Sequence, residues 1–496
     1  MKLHIEGNIN AYYVQTLLMI FFPGEKFSGQ EGTDTHEFFL RVTENESGIT
    51  AAARLVCEGK EHVAEKSREY REDLTVDRLR KIVIGHAVLA AAGEHLHYRP
   101  SWGMLTGVRP SKVATELLLR GMSKTRVRRT LTSDYMVIPK KAALATEVAL
   151  YEQQMIGKPA PKDCSVYISI PFCPTRCSYC SFVSYTSKRL LSLIPDYLTL
   201  LIEELREKFS IIKELGLRVR TVYIGGGTPT ILTADQLRAL LFTVAEGTDV
   251  TALEEFTLES GRPDTIDAEK MAVAKEYGVT RVCVNPQTLC EPVLQGVGRG
   301  HSVEDFYRAY DIARSSGIKC INTDLIVGLP GDDFSSFSVT FDEILRLAPE
   351  NITVHTFCVK RAAEILRQGN RVYNLRGGDA GKCVDYSQIR AAEIGYKPYY
   401  MYRQKNMVGN FENVGFAREG FEGLYNIYMM EEVHSIFAAG AGAVTKLVSY
   451  APPESDKKSV IERLFNAKYP YEYLASGVTS EHRDQIVSFY RERDLL

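Results

Sequence analysis

The sequence of 496 residues predicts an α/β fold: a partial (β/α)6 barrel, preceded by an α+β N-terminal domain and followed by a mainly helical C-terminal cap. Three observations carry this reading. Six short apolar strands alternate with amphipathic helices between residues 164 and 357, a pattern that builds a parallel sheet with right-handed crossovers. Six such units fall short of the eight that close a full barrel. The first 160 residues lack that alternation, and the last hundred carry helical patterns over 457–466 and 480–493 after a glycine turn at 440–443. The expected domains are therefore 1–160, 161–396 and 397–496, with the Pro- and Gly-containing stretch 156–163 as the first linker and the last domain covering a substrate.

In chain order, residues 38–42 and 50–57 alternate about the turn Asn45-Glu-Ser-Gly48 and read as a β-hairpin. Helical patterns follow over 74–92, 110–119 and 141–155, with Pro110 suited to a first helical turn and Gly121 to a stop. The first barrel strand is 166–170. Leu198, Leu201, Leu205, Phe209, Ile212 and Leu215 recur three and four apart along the next helix, which Gly216 ends. Strands are expected at 219–224, 256–258, 281–284, 321–327 and 352–357. Thr233 and Gln236 form a capping box, and further helices start near Asp267, Ser302 and Asp333.

A net charge of −2 argues against nucleic acid as a partner of the whole surface. Locally, Arg120, Lys124, Arg126, Arg128, Arg129, Lys140 and Lys141 face one acid, Asp134; the commoner meaning of such a run is a solvated helical face. The N-terminus lacks the apolar core of a secretory signal, and no apolar run approaches the roughly 18 residues of a membrane span, so a cytoplasmic protein is expected. Ten cysteines in so long a chain do not form a disulfide framework and point to a reducing compartment.

Three of those cysteines matter most. Cys173, Cys177 and Cys180 stand at CxxxCxxC spacing directly after the first barrel strand. Three thiolates leave one iron of a cubane cluster without a protein ligand, and an open iron can bind substrate. Zinc would want paired CxxC units or a nearby His, and none lies between residues 98 and 300. The following strands end in Gly225-Gly-Gly-Thr-Pro229, Glu259-Ser-Gly-Arg-Pro, Asn285-Pro-Gln287 with Arg299-Gly-His301, and Asp324-Leu-Ile-Val-Gly-Leu-Pro330. On such a sheet, chemistry belongs at the C-terminal strand ends.

These motifs, over about residues 164–450, resemble the radical SAM superfamily and, within it, the HemZ-type branch of the oxygen-independent coproporphyrinogen III oxidase family; stretches 354–361 and 398–415 narrow the match. The resemblance implies a [4Fe-4S] cluster on Cys173, Cys177 and Cys180. It implies S-adenosyl-L-methionine (SAM) held by Tyr167, Tyr179, Gly226, Gly227, Thr228, Glu259, Gln287, Arg299 and Asp324, with Tyr167 also the candidate catalytic residue. The implied reaction converts coproporphyrinogen III to protoporphyrinogen IX through a 5′-deoxyadenosyl radical, with an unidentified electron donor and acceptor. Lys360, Arg361, Arg403, Lys405 and Arg418 are candidates for the substrate carboxylates, and Tyr399, Tyr400, Tyr402 and Phe411 for its flat faces. Two positions depart from the oxidase pattern: Ser169 replaces a His, and Phe182 replaces a further Cys. Phe at the second position also occurs in the heme-chaperone branch. A heme-binding or heme-transfer protein, or a radical SAM enzyme acting on another tetrapyrrole or on RNA, is therefore the alternative.

Overall fold

The computed structural model describes residues 1–23, 25–27, 36–107, 109–180, 184–358, 378–404, 407–451, 459–478 and 480–495. The chain clusters into two compact units. One unit is Met1–Leu150 with Tyr373–Gly381 and Met401–Glu412, and the other is Tyr151–Val372 with Lys382–Tyr400 and Asn413–Leu496.

The first unit is built on strands β1 (Lys2–Glu6), β2 (His36–Glu44), β3 (Gly48–Cys57) and β4 (Lys60–Glu69), which lie in that order. β2 and β3 form the expected hairpin, whose turn is held by the Asn45 side chain accepting from the backbone N–H groups of Ser47 and Gly48. Alternate residues of β3, Ile49, Ala51, Ala53, Leu55 and Cys57, are buried, and α2 (Val76–Leu96) packs on this strand, with α1 (Ala11–Phe21) packing on α2. α3 (Ser111–Leu119), α4 (Lys124–Ser133) and α5 (Pro139–Ile156) follow. β4 and α4 carry no usable apolar period: β4 is KEHVAEKSRE, and α4 buries only Val127 and Leu131. In the core of this unit the Glu412 carboxylate accepts from Trp102 Nε1 at 2.7 Å and from Lys141 Nζ at 2.6 Å.

The second unit contains the expected strands, β5 (Asp163–Ile170), β6 (Arg218–Gly226), β7 (Glu255–Leu258), β8 (Arg281–Cys283), β9 (Cys320–Val327) and β10 (Asn351–Thr356), each parallel to the next. The crossovers are α6 (Lys188–Leu191), α7 (Ile194–Glu214), α8 (Ala234–Gly247), α9 (Ala268–Glu276), α10 (Glu291–Gly296), α11 (Val303–Ser315) and α12 (Phe334–Leu347). Capping boxes at Thr233, Ser302 and Asp333 start α8, α11 and α12. α13 (Ala380–Glu393) leads to β11 (Lys397–Tyr402) and β12 (Asn413–Ala417), the latter antiparallel to β10.

The C-terminal region carries helices α14 (Leu424–Glu431), α15 (Pro470–Ser476) and α16 (Ser480–Glu492), and it also extends the sheet. β13 (Ser435–Ala439) adds in parallel to β5, followed by β14 (Val444–Ser449) and β15 (Val460–Phe465). Among the described residues the strand order is linear, β11-β12-β10-β9-β8-β7-β6-β5-β13-β14-β15. The helix expected over 457–466, of which residues 457 and 458 lie outside the described residues, is thus corrected over Val460–Phe465 to strand β15. Val460 and Ile461 pair with Ser449 and Val448 of β14, and β-branched side chains fit a pleated surface. The glycine turn at 440–443 joins two strands. Among the described residues no helix is long and apolar enough to cross a membrane.

Candidate functional site

The cysteine loop is anchored to the glycine stretch. After β5 ends at Ile170, Gly227 N donates to Ile170 O at 2.8 Å and Thr228 N to Phe172 O at 2.8 Å, while Thr228 Oγ1 stands 3.2 Å from Cys173 Sγ. A Cβ on Gly227 would fall 2.5 Å from Phe172 O, and Gly226 adopts φ +109°. The glycines are therefore required by the close approach of the loop's own backbone. Farther along, Ser178 N donates to Val297 O and Cys180 N to Cys177 O. Cys173 and Cys177 are buried and Cys180 is half-buried; burial pushes the Cys173 thiol up from its ordinary range.

Two guanidinium groups face Cys177: Arg262 Nη1 lies 3.8 Å and Arg299 Nη1 3.9 Å from its Sγ. Positive charge there would offset the negative charge of thiolates in this loop. Among the described residues no group of three or more His, Cys, Asp or Glu is placed to hold a single metal ion. The donor set of three loop thiols fits a cluster in which each thiolate takes a different iron.

Beside this loop, side chains from successive strands face one another. Tyr167 of β5 stacks on Tyr223 of β6, with ring centroids 6.2 Å apart, and Tyr425 of α14 stacks on both, 4.5 Å from Tyr223. The Tyr223 hydroxyl donates to Glu259 Oε1. Burial raises the Glu259 carboxyl to about 7, the Tyr223 hydrogen bond opposes that rise, and the charge of Asp324 adds to it. Asp324 accepts from Asn285 Nδ2 and Asn322 Nδ2, each at 2.8 Å, and its Oδ2 lies 3.7 Å from His355 Nε2. Burial pushes its carboxyl up, but His355 first, with Asn322 and Thr353, outweighs it and holds Asp324 below the usual range.

Gln287 completes the set. Its backbone is left-handed at φ +70°, rare for a non-glycine residue, and is held there by Gln287 N donating to Asp324 O and Ile326 N donating to Gln287 O. Its buried side-chain Oε1 has no hydrogen-bond donor. An orphaned buried acceptor on a segment bonded to the strand of Asp324 fits a ligand bearing ammonium and hydroxyl donors, as SAM does.

The expected residues fall into two groups. Tyr167, Glu259, Gln287 and Asp324 belong to the inner set, although Asp324 sits within β9 rather than beyond its end. Tyr179 and Arg299 belong to the cysteine loop, where Arg299 Nη1 donates to the Tyr179 hydroxyl at 2.7 Å. Arg299 Nη2 donates to Gly261 O at 2.6 Å and Asn285 O at 2.5 Å, and only its Nε lacks a partner. Sequence reasoning missed Tyr223, Asn285, His355 and Tyr425. The first three stand within or beside quoted motifs, which carried that signal without a role for them; Tyr425 comes from α14 and carried none.

The departures and the substrate candidates divide differently. The Ser169 hydroxyl donates to Ala441 O at 3.0 Å, whereas Phe182, Lys360, Arg361 and Lys405 lie outside the described residues. Arg403 is buried in the first unit and donates to Leu105 O; Arg418 is exposed, 5.3 Å from the Tyr396 ring centroid. Tyr399, Tyr400 and Phe411 are core side chains, and Tyr402 is half-buried. The described candidates do not assemble a carboxylate-binding face.

Comparisons with known proteins agree with this geometry. The model of the radical SAM superfamily matches residues 167–344. The oxygen-independent coproporphyrinogen-III oxidase-like protein HemZ of Bacillus subtilis is 35% identical over 88% of this chain and 89% of its own length. The heme chaperone HemW of the same organism is 29% identical over 65% of this chain and 81% of its own. Among solved structures, the coproporphyrinogen III oxidase HemN of Escherichia coli, described as a radical SAM enzyme, superposes with a TM-score of 0.51 at 19% identity. That match covers 70% of this chain and 82% of HemN, a likeness of fold. The cysteine loop, the partial barrel behind it and a relative matched over nearly the full length place the chain in the radical SAM superfamily, in the HemZ-type branch of the oxygen-independent coproporphyrinogen III oxidase family.

Proposed function

We propose that this chain decarboxylates coproporphyrinogen III oxidatively to protoporphyrinogen IX, using SAM and a [4Fe-4S] cluster. The observation that carries the reading is the unpartnered Gln287 Oε1, on a segment whose backbone bonds the strand that carries Asp324, the carboxylate that Glu259 senses. Bound there, cluster and SAM would supply a 5′-deoxyadenosyl radical that takes a hydrogen atom from a substrate propionate.

The chain's own residues do the remaining work. Cys173, Cys177 and Cys180 hold the cluster, and Arg262 with Arg299 offsets its charge. Glu259 and Gln287 accept hydrogen bonds from the ammonium and hydroxyl groups of SAM, while the stacked tyrosines 167, 223 and 425 wall the site against water. Two propionates become vinyl groups, so two SAM are consumed, and the electrons left on substrate pass to an acceptor outside the chain.

Anaerobic incubation of reconstituted protein with SAM, a reductant and coproporphyrinogen III tests this. Vinyl product together with 5′-deoxyadenosine is expected. Stable heme binding without turnover would replace the reading with heme transfer, which the likeness to heme chaperone HemW favours.

A further inference from the structure

α3 and α4 of the first unit are joined by the four residues Arg120 to Ser123. Gly121 adopts φ +82° so that its N–H reaches Leu118 O at 2.8 Å and Met122 N reaches Leu117 O at 3.2 Å, and Ser123 then caps α4. A two-helix unit with a short glycine-containing turn is the connection that helix-turn-helix motifs use. α4 turns Val127 and Leu131 inward and leaves Lys124, Thr125, Arg126, Arg129 and Ser133 exposed.

The structure also separates this basic run into paired and unpaired charge. Lys141 is buried against Glu412, and Arg128 is held by Glu147 at 3.0 Å. The one acid, Asp134, is buried and bound to Arg71 at 2.9 Å, so it faces none of the exposed cations. Among the described residues Arg120, Lys124, Arg126 and Arg129 have no carboxylate within 4 Å. Asp73, whose charge Arg126 senses, is itself held by Arg71.

Placement matters as much as number. α4 has no acid in its first turn and none in its length, so its cations crowd the end where the helix dipole repels them. That arrangement lowers helix stability and favours an external anion. We propose that α4 docks into the major groove of duplex DNA, with Arg120 and Lys124 on phosphates and Arg126 and Arg129, interleaved with the Thr125 and Ser133 hydroxyls, turned toward the duplex. The B-form major groove, about 12 Å wide, admits a helix, whereas the deep, narrow major groove of A-form RNA does not. The near-zero net charge of the whole chain is compatible with this, because the cations are confined to one element.

Fluorescence anisotropy of the full-length reconstituted chain with a labelled duplex of roughly 20 base pairs tests the proposal. Binding is expected near 50 mM salt, weakening with a slope of about 0.9 per phosphate neutralised. Arg126→Ala with Arg129→Ala should weaken it about tenfold or more and flatten the slope by up to about two, while Arg206→Ala, an exposed arginine of the second unit paired with Glu246, should leave it unchanged. Absence of binding, equal binding by the double variant, or equally tight binding of duplex RNA or polyglutamate would overturn it. Both exposed side chains can be removed without touching the core, and an unchanged far-ultraviolet spectrum would verify the fold.

Discussion

Ser169 Oγ donates to Ala441 O at 3.0 Å, tying the strand that leads into the cysteine loop to the turn between β13 and β14. The same turn is pinned by Ala441 N and Ser169 O, which share the Tyr197 hydroxyl at 2.9 and 2.8 Å. The residue standing where the oxidase pattern has His is therefore engaged in holding the sheet. Ser169→Ala leaves a buried carbonyl with one partner fewer and should cost about 1 kcal/mol, read as a lower thermal midpoint.

The glycine stretch makes a sharper prediction. A methyl group at Gly227 would meet the Phe172 backbone at 2.5 Å, and backbone cannot move aside as a flexible side chain does. Gly227→Ala should displace the root of the cysteine loop and lower iron incorporation several-fold on reconstitution, measured by iron content and visible absorbance. Gly261→Ala, where the nearest atom is the Asn285 side-chain amide at 3.2 Å, should lower it less.

Glu259 predicts a pH dependence. Its folded carboxyl titrates at about 7 against 4.5 for the free group, so between those values the folded protein holds a proton that the unfolded chain has lost. Stability then falls as pH rises through that window, by at most about 3 kcal/mol. Glu259→Gln should remove this slope in denaturation curves between pH 5 and about 7.5. An ammonium group beside the carboxylate favours the ionised form, so SAM affinity of the native chain should rise with pH up to about 7 and then level off; the Gln variant should lack the rise.

In the first unit, Lys141→Met removes the cation from a carboxylate that has no solvent exposure. Breaking this buried pair should cost about 3–5 kcal/mol, because the carboxylate keeps the Trp102 donor but loses its 2.6 Å cation. Lys141→Met with Glu412→Gln keeps an acceptor for Trp102 Nε1 and should recover most of that loss in chemical denaturation.

The cysteine spacing and the glycine stretch were legible in the sequence because both obey local rules. Three thiols within eight residues can serve one cluster, and a backbone approach as close as that at Gly227 excludes a side chain. The six parallel strands were legible for the same reason, since apolar runs mark the strands and capping boxes start three of the crossover helices. β15 was not, because its residues 460–465 fit a helical period as well as a strand, and only pairing with β14 decides between them.

What the tertiary structure alone decided is the through-space chemistry. Tyr425 lies more than 200 residues from Tyr223 in the chain yet stacks on it, and the burial that lifts Glu259 toward neutral pH comes from walls that no sequence motif records. The charge on α4 was plain in its letters, but which of its cations go without an ion pair was not. Pairing depends on where Asp134, Glu147 and Glu412 end up, and folding turned all three toward other residues, leaving four exposed cations to face solvent.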